Sequence, residues 1–237
     1  MARVVVVIGI THNPFHYRLI SQPRSQWSED IVRMVERGEL MREKLRQAAP
    51  ESLIVIGNDH FHQFFMDNMP SFIIGKMALF DGTYYNEVRE FGLPKCRVPG
   101  DVKLAQQILE GALQRGIDFS YSNELKIDHS AVVPLLLVQP EMDLPIVPIM
   151  TNCVAPPIPP AERFHQVGRT LRSVIDAIPG DKRIGVVVAG NLSLEVGGPL
   201  QFEPRPMNEE FDDQAVGWIS RGDIETAIRE CTFDRMT

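Results

Sequence analysis

The sequence predicts an α/β protein: a central, mostly parallel or mixed sheet flanked by helices. Short apolar runs alternate with longer segments of helical periodicity, and no internal repeat or low-complexity stretch interrupts them. No linker rich in Gly, Ser or charge divides the 237 residues, so residues 1–237 are expected to form a single domain.

The elements follow in order. Arg3–Ile10, with four consecutive valines, reads as a buried first strand. Residues 28–49 carry Ile31, Met34, Val35, Met41 and Leu45 among charged side chains, the spacing of an amphipathic helix or helix pair, with Gly38 as a candidate break. Residues 52–57 (SLIVIG) form a second buried strand. In residues 101–115, Val102, Ala105, Ile108, Leu109 and Ala112 recur at helical spacing, and Gly116 follows as a stop. Residues 132–138 and 146–150 are apolar runs that each hold a proline, which leaves the first open between strand and short helix. Residues 154–160 hold four prolines in seven positions and predict a stiff irregular connection. Residues 161–178 read as a helix, Arg183–Ala189 as the clearest late strand, and the segment from 208 onward as two helical pieces separated by Gly222.

Composition narrows the function classes. With 44% hydrophobic and 23% charged residues the chain is neither disordered nor fibrous. A formal net charge of -7 argues against nucleic acid or an anionic membrane as the main partner. Three cysteines, Cys96, Cys153 and Cys231, have no CxxC spacing and read as reduced thiols. The first apolar run is too short to span a membrane and is not followed by a small-residue cleavage site, so a cytoplasmic location is expected.

The chemistry lies in the histidines. His12 stands just past the first strand and His60 just past the second. Open α/β sheets place their sites at the carboxyl ends of strands, and two imidazoles arriving there can converge on one first-row metal. A single strand-end histidine is more often solvated, so it is the pairing that points to a metal. Asn58 and Asp59 stand beside His60 as groups able to hold its ring by hydrogen bonds. His129 follows Asp128; alone, that pair suits a buried structural histidine or a helix cap. Phe61, Phe64, Phe65, Met66 and Met69 suit core or a subunit contact before a pocket lining. Gly197, Gly198 and Pro199 read as a turn, since no Gly-rich loop here opens a helix with Lys-Ser/Thr. Ser193 lacks the Gly-x-Ser-x-Gly setting of a nucleophile elbow.

In order along the chain, MARV, THNP (11–14), LIVIGNDH (53–60), IDHSAVVPL (127–135) and AGNLS (189–193) resemble the class III extradiol ring-cleavage dioxygenases, of the type of the protocatechuate 4,5-dioxygenase catalytic subunit. The resemblance runs over residues 3–211. It implies a single catalytic-type domain of that family's α/β fold. It also implies one non-haem Fe(II) held by two histidines and a glutamate, the histidines matching His12 and His60, with open positions for a catecholic substrate and O2. His129 matches the catalytic histidine that hydrogen-bonds substrate or oxygen. The partners implied are a catecholic aromatic acid and O2, with self-association or a small second subunit; Arg18, Arg24 and Arg205 are candidates to meet a substrate carboxylate.

Two departures qualify this. Where the family has Gly-Gly-(Leu/Met)-Ser-His, whose histidine is the acid/base, this chain reads Gly190-Asn191-Leu192-Ser193-Leu194, and leucine moves no proton. Glu195, His62 and His16 are candidates to replace it; proton transfer by a placed group is typically worth ~10²–10⁴ in rate. The family's glutamate ligand lies on a helix nearer the C-terminus than this chain is expected to reach, and neither Glu225 nor Glu230 maps onto its motif. The C-terminal part of the domain is therefore expected to be incomplete, with the third ligand open. Two further readings stand beside the dioxygenase: a catalytically altered family member that binds a metal, ligand or partner without ring cleavage, and a zinc hydrolase or lyase on the same histidines.

Overall fold

A computed structural model describes residues 1–193 and 208–236; Leu194, Glu195, Arg205 and the expected turn at Gly197, Gly198 and Pro199 lie outside the described residues. In chain order the strands are Arg3–Ile10 (β1), Ser52–Asn58 (β2), Phe72–Gly75 (β3), Leu79–Gly82 (β4), Cys96–Pro99 (β5), Ser120–Ser122 (β6), Ile146–Thr151 (β7) and Arg183–Ala189 (β8). The helices are Pro14–Ile20 (α1), Glu29–Ala48 (α2), Tyr85–Phe91 (α3), Val102–Leu113 (α4), His129–Val138 (α5), Ala161–Ala177 (α6), Glu209–Arg221 (α7), Ile224–Glu230 (α8) and the short Phe233–Met236 (α9).

Six strands form one mixed sheet in the order β1-β8-β2-β7-β3-β6. β1, β8, β2 and β7 run parallel, β3 pairs antiparallel with β7, and β6 runs parallel with β3. The expected α/β sheet flanked by helices is therefore what forms. Helices cover both faces. Leu53 and Val55 of β2 face a core shared with α2 and α5, while Ile54 faces one shared with α4 and α6. A strand covered on both faces loses apolar–polar alternation, which is why β2 and β7 read as continuous apolar runs.

β1 corrects one expectation. It is as apolar as β2, yet among its residues only Ile8 is buried, and Val7 is 65% exposed. The cause is position: β1 ends the sheet order and pairs with β8 alone among the described strands. Gly38 does not break α2, which is one continuous helix with Gly38 buried on its inner face. Residues 132–138 resolve as helix α5, which is apolar all round and almost wholly buried. Pro134 inside it has no N–H to give to the carbonyl four residues back, so burial rather than propensity holds this helix. Gly116 and Gly222 take positive φ at the ends of their helices, as a C-terminal stop requires.

Residues 60–100 yielded no elements to periodicity, and their strands are four residues long and α3 seven. β4 and β5 form a separate antiparallel pair with α3 between them. The backbone N–H of Thr83 donates to the Ile127 carbonyl, which sets the start of α3 beside the start of α5. No helix among the described residues is long and apolar enough to cross a membrane.

Candidate metal centre

Three imidazoles meet at the carboxyl edge of the parallel strands. His12, His60 and His129 each bring a ring nitrogen, all within 4.8 Å of one another. The ring centroids of His60 and His129 lie 4.0 Å apart in a stacked arrangement, and His12 stands edge-on to both at 5.1 and 5.7 Å.

Local chemistry explains each position. His12 leaves β1 inside a short polar loop. Thr11 Oγ1 donates to Asn191 Oδ1 at 2.9 Å, tying the ends of β1 and β8, and the Asn13 side chain caps α1 through the Phe15 N–H. His60 follows β2 by two residues. His129 opens α5, whose N-cap is Asp128: its Oδ1 accepts the Ser130 N–H at 2.9 Å. Gly57 lets these two arrive together. A side chain there would meet Ser130 Oγ at 2.5 Å, the hydroxyl that donates to the Asn58 carbonyl at 2.7 Å. Only a bare Cα permits α5 to approach β2 this closely.

Carboxylates stand behind two of the rings. Asp128 Oδ2 accepts from His60 Nδ1 at 2.8 Å, so His60 Nε2 keeps its lone pair, which Asn58 Nδ2 meets at 3.0 Å. Glu87 Oε1 accepts from His129 Nδ1 at 2.6 Å. Asp59, expected to hold His60, instead accepts the N–H groups of His62, Gln63 and Phe64. Its side chain caps the loop, and burial pushes its pKa up. The imidazole is served by Asp128, 68 residues further along, and by Asn58.

The buried Nδ1 of His12 has no hydrogen-bond partner among the described residues. Burial first, then the charges of His60 and His129, push the His12 pKa down from 6.5 to about 4, so the ring is neutral at neutral pH. The unfolded chain takes up this proton near pH 6.5 and the folded one does not until about pH 4. The metal-free fold therefore loses stability as pH falls through that window, by up to about 3 kcal/mol. Urea unfolding of metal-free protein between pH 7 and pH 4.5 should show this slope, flattened in His12→Gln. Equal slopes in the two proteins would mean that His12 is not buried neutral.

The remaining candidates fall apart. His62 lies behind the centre, 3.5 Å from Asp128 and 3.9 Å from Glu87, stacked on Tyr84 with centroids 4.5 Å apart. Burial alone would push its pKa down; the Asp128, Glu87 and Asp59 carboxylates outweigh this and push it up. His16 lies on α1 and belongs to none of the His/Asp/Glu groups among the described residues, nor do Glu225 and Glu230. Glu230 pairs with Arg229 and Arg235. Arg18 and Arg24 are exposed, Arg24 lying 5.8 Å from the Trp27 ring centroid. Of the aromatic and methionine cluster, Phe64 packs against the core while Phe61, Phe65 and Met66 are exposed. Among the described residues, sequence reasoning missed Glu87, on a helix too short to show a period.

Comparison with known proteins points to one family. Curated relatives named 2,3-dihydroxyphenylpropionate/2,3-dihydroxicinnamic acid 1,2-dioxygenase include those of Photorhabdus laumondii, 27% identical over 72% of this chain and 51% of that one, and of Escherichia coli O81, 29% identical over 82% and 58%. The protein of that name from Cupriavidus necator is 29% identical over 78% and 55%. The chain thus spans about half the length of the curated relatives it matches. Residues 6–233 match the family described as the catalytic LigB subunit of aromatic ring-opening dioxygenase. Since that match takes in both strand-end histidines, the Asp128-His129 pair and nearly all of the sheet, the chain belongs to the LigB family, the class III extradiol dioxygenases.

Proposed function

We propose that this chain acts as an extradiol-type dioxygenase, opening the ring of a catecholic aromatic acid with O2 beside, not between, its two hydroxyls. The observation that carries the reading is the convergence of His12, His60 and His129 at the carboxyl edge of the sheet. Two nitrogens would serve a non-haem Fe(II): Nδ1 of His12, buried and without a partner among the described residues, and Nε2 of His60, whose lone pair Asn58 Nδ2 meets at 3.0 Å and would yield to the metal; the carboxylate of the family's ligand set stays open. His12 and His60 are the protein ligands in this reading. When bound, Fe(II) supplies Lewis acidity toward the catechol oxygens and the redox chemistry that O2 requires.

The rest falls to the chain. His12, neutral at neutral pH, needs no deprotonation before it donates. Asp128 fixes the His60 ring and its tautomer. His129 is the catalytic histidine, hydrogen-bonding substrate or oxygen. Phe91, 6.2 Å from the His129 ring, with Phe15 edge-on to it at 5.0 Å, offers an apolar wall for an aromatic ring. Free Cys96, Cys153 and Cys231 support a reducing, cytoplasmic setting and one domain needing no disulfide. Exposed Phe15, Leu19, Phe61, Phe65 and Met66 support self-association or a small second subunit.

The test is anaerobic reconstitution with Fe(II), followed by oxygen and a panel of catecholic acids that includes protocatechuate and 2,3-dihydroxyphenylpropionate. Oxygen uptake with a yellow ring-opened product is expected, and silence across the panel would refute the reading. Leu194, where the family has its acid/base histidine, favours one alternative: a family member that binds metal and catechol without turnover. In that case Leu194→His gains activity that the natural chain lacks. Metal analysis of protein purified without air separates iron from the zinc of a hydrolase.

A further inference from the structure

We propose that Glu87 is the positioning residue of this site, holding His129 in one tautomer and one orientation so that its Nε2 is the nitrogen offered to substrate or oxygen. The proposal rests on the reading of His129 given above.

Glu87 is the third residue of α3, where a glutamate commonly closes a capping box by accepting the N-cap N–H. It does this: Oε2 accepts from the Tyr84 backbone N–H at 2.7 Å. A cap needs one oxygen and is usually wet, whereas Glu87 is 0% exposed and its other oxygen has a separate task. Oε1 accepts both the backbone N–H of His129 at 2.8 Å and its Nδ1–H at 2.6 Å, across 42 residues of chain. A carboxylate only accepts, so Nδ1 carries a proton, and in the neutral ring Nε2 is left bare. Because the same oxygen grips backbone and ring, the ring cannot turn about its side-chain bonds without losing the contact. With Nδ1 engaged behind, Nε2 is the nitrogen left to join the group formed with His12 and His60.

The surroundings fit a built support. Asp128 holds His60 and Glu87 holds His129, from separate elements, while His62 stands between the two carboxylates and Tyr84 closes behind it. Tyr84 Oη donates to Gln63 Oε1 at 3.1 Å, so the back of this layer is tied to the loop that carries His60. Partners of this kind around a site typically matter by ~10–100-fold in activity or metal affinity.

The decisive variant is Glu87→Gln. Glutamine can still cap a helix, but it brings one acceptor oxygen where the site uses two. On the reconstituted enzyme, kcat should fall ~10–100-fold with metal content and KM for the catechol unchanged. The second readout is the ring-nitrogen NMR spectrum of ¹⁵N-histidine-labelled, metal-free protein. His129 should be in the Nδ1–H tautomer in the natural chain and shift toward a mixture in Glu87→Gln. Unchanged kcat in a folded Glu87→Gln, or a lower melting temperature with kcat per folded molecule intact, reduces Glu87 to a helix cap and overturns the proposal. So does an Nε2–H tautomer in the natural chain, a result that needs no variant to fold. If the natural chain opens no ring at all, the dioxygenase reading fails by itself, while the two spectra still decide whether Glu87 sets the tautomer.

Discussion

His12→Ala is expected to yield a folded protein that retains no stoichiometric metal and takes up no oxygen with a catechol. The ring it removes is buried, and its Nδ1 has no partner among the described residues, so its loss costs packing but orphans no group at that nitrogen. His60→Ala should lose the metal too and destabilise the fold further, because it strips Asp128 of its 2.8 Å partner and leaves a fully buried carboxylate short of a donor. The contrast isolates the ligand role: the variants should match in metal content and differ in unfolding free energy. Metal analysis after Fe(II) reconstitution and desalting, beside urea unfolding of the metal-free forms, reads both. Full metal retention by His12→Ala would remove His12 from the centre.

What made this site readable in the sequence was chain proximity. His12 and His60 each stand two residues beyond the end of a strand, so the rule that sites gather at the carboxyl ends of strands reaches them directly. The pairing of Asp128 with His129 was visible, but its use was not. The Asp128 carboxylate turns away from its own neighbour toward His60. Asp59, adjacent to His60, looked the better partner, yet its oxygens are taken by three loop N–H groups. Glu87 left no trace because α3 has seven residues and its partner His129 lies 42 residues further along the chain. The same limit explains β1 and β2. Both are valine- and isoleucine-rich runs, and only the sheet order decides that one lies at the edge and the other at the centre. Gly38 and Gly57 show that limit for glycine: one sits in an unbroken helix, while the other marks the contact on which the site depends.

Asp128 carries more than one task, and substitutions there should separate them. Asp128→Ala removes the N-cap of α5, orphans the His60 Nδ1–H and deletes a buried charge from among His60, His62 and His129; a loss of about 3–5 kcal/mol is expected in denaturant unfolding. Asp128→Asn keeps the cap, since asparagine caps as well as aspartate, so it should recover most of that stability. It should not recover the metal. An asparagine that turns its oxygen to the Ser130 N–H presents its NH2 to His60 Nδ1, two donors face each other, and the ring must flip or move its proton to Nε2, the nitrogen whose lone pair the proposed metal would need. Both variants should then bind metal ~10–100-fold more weakly than the natural chain. Titration of the metal-free proteins with Fe(II) under anaerobic conditions, set beside their unfolding curves, tests this. Recovery of metal affinity together with stability in Asp128→Asn would show that α5 needed only its cap and that His60 holds its tautomer unaided.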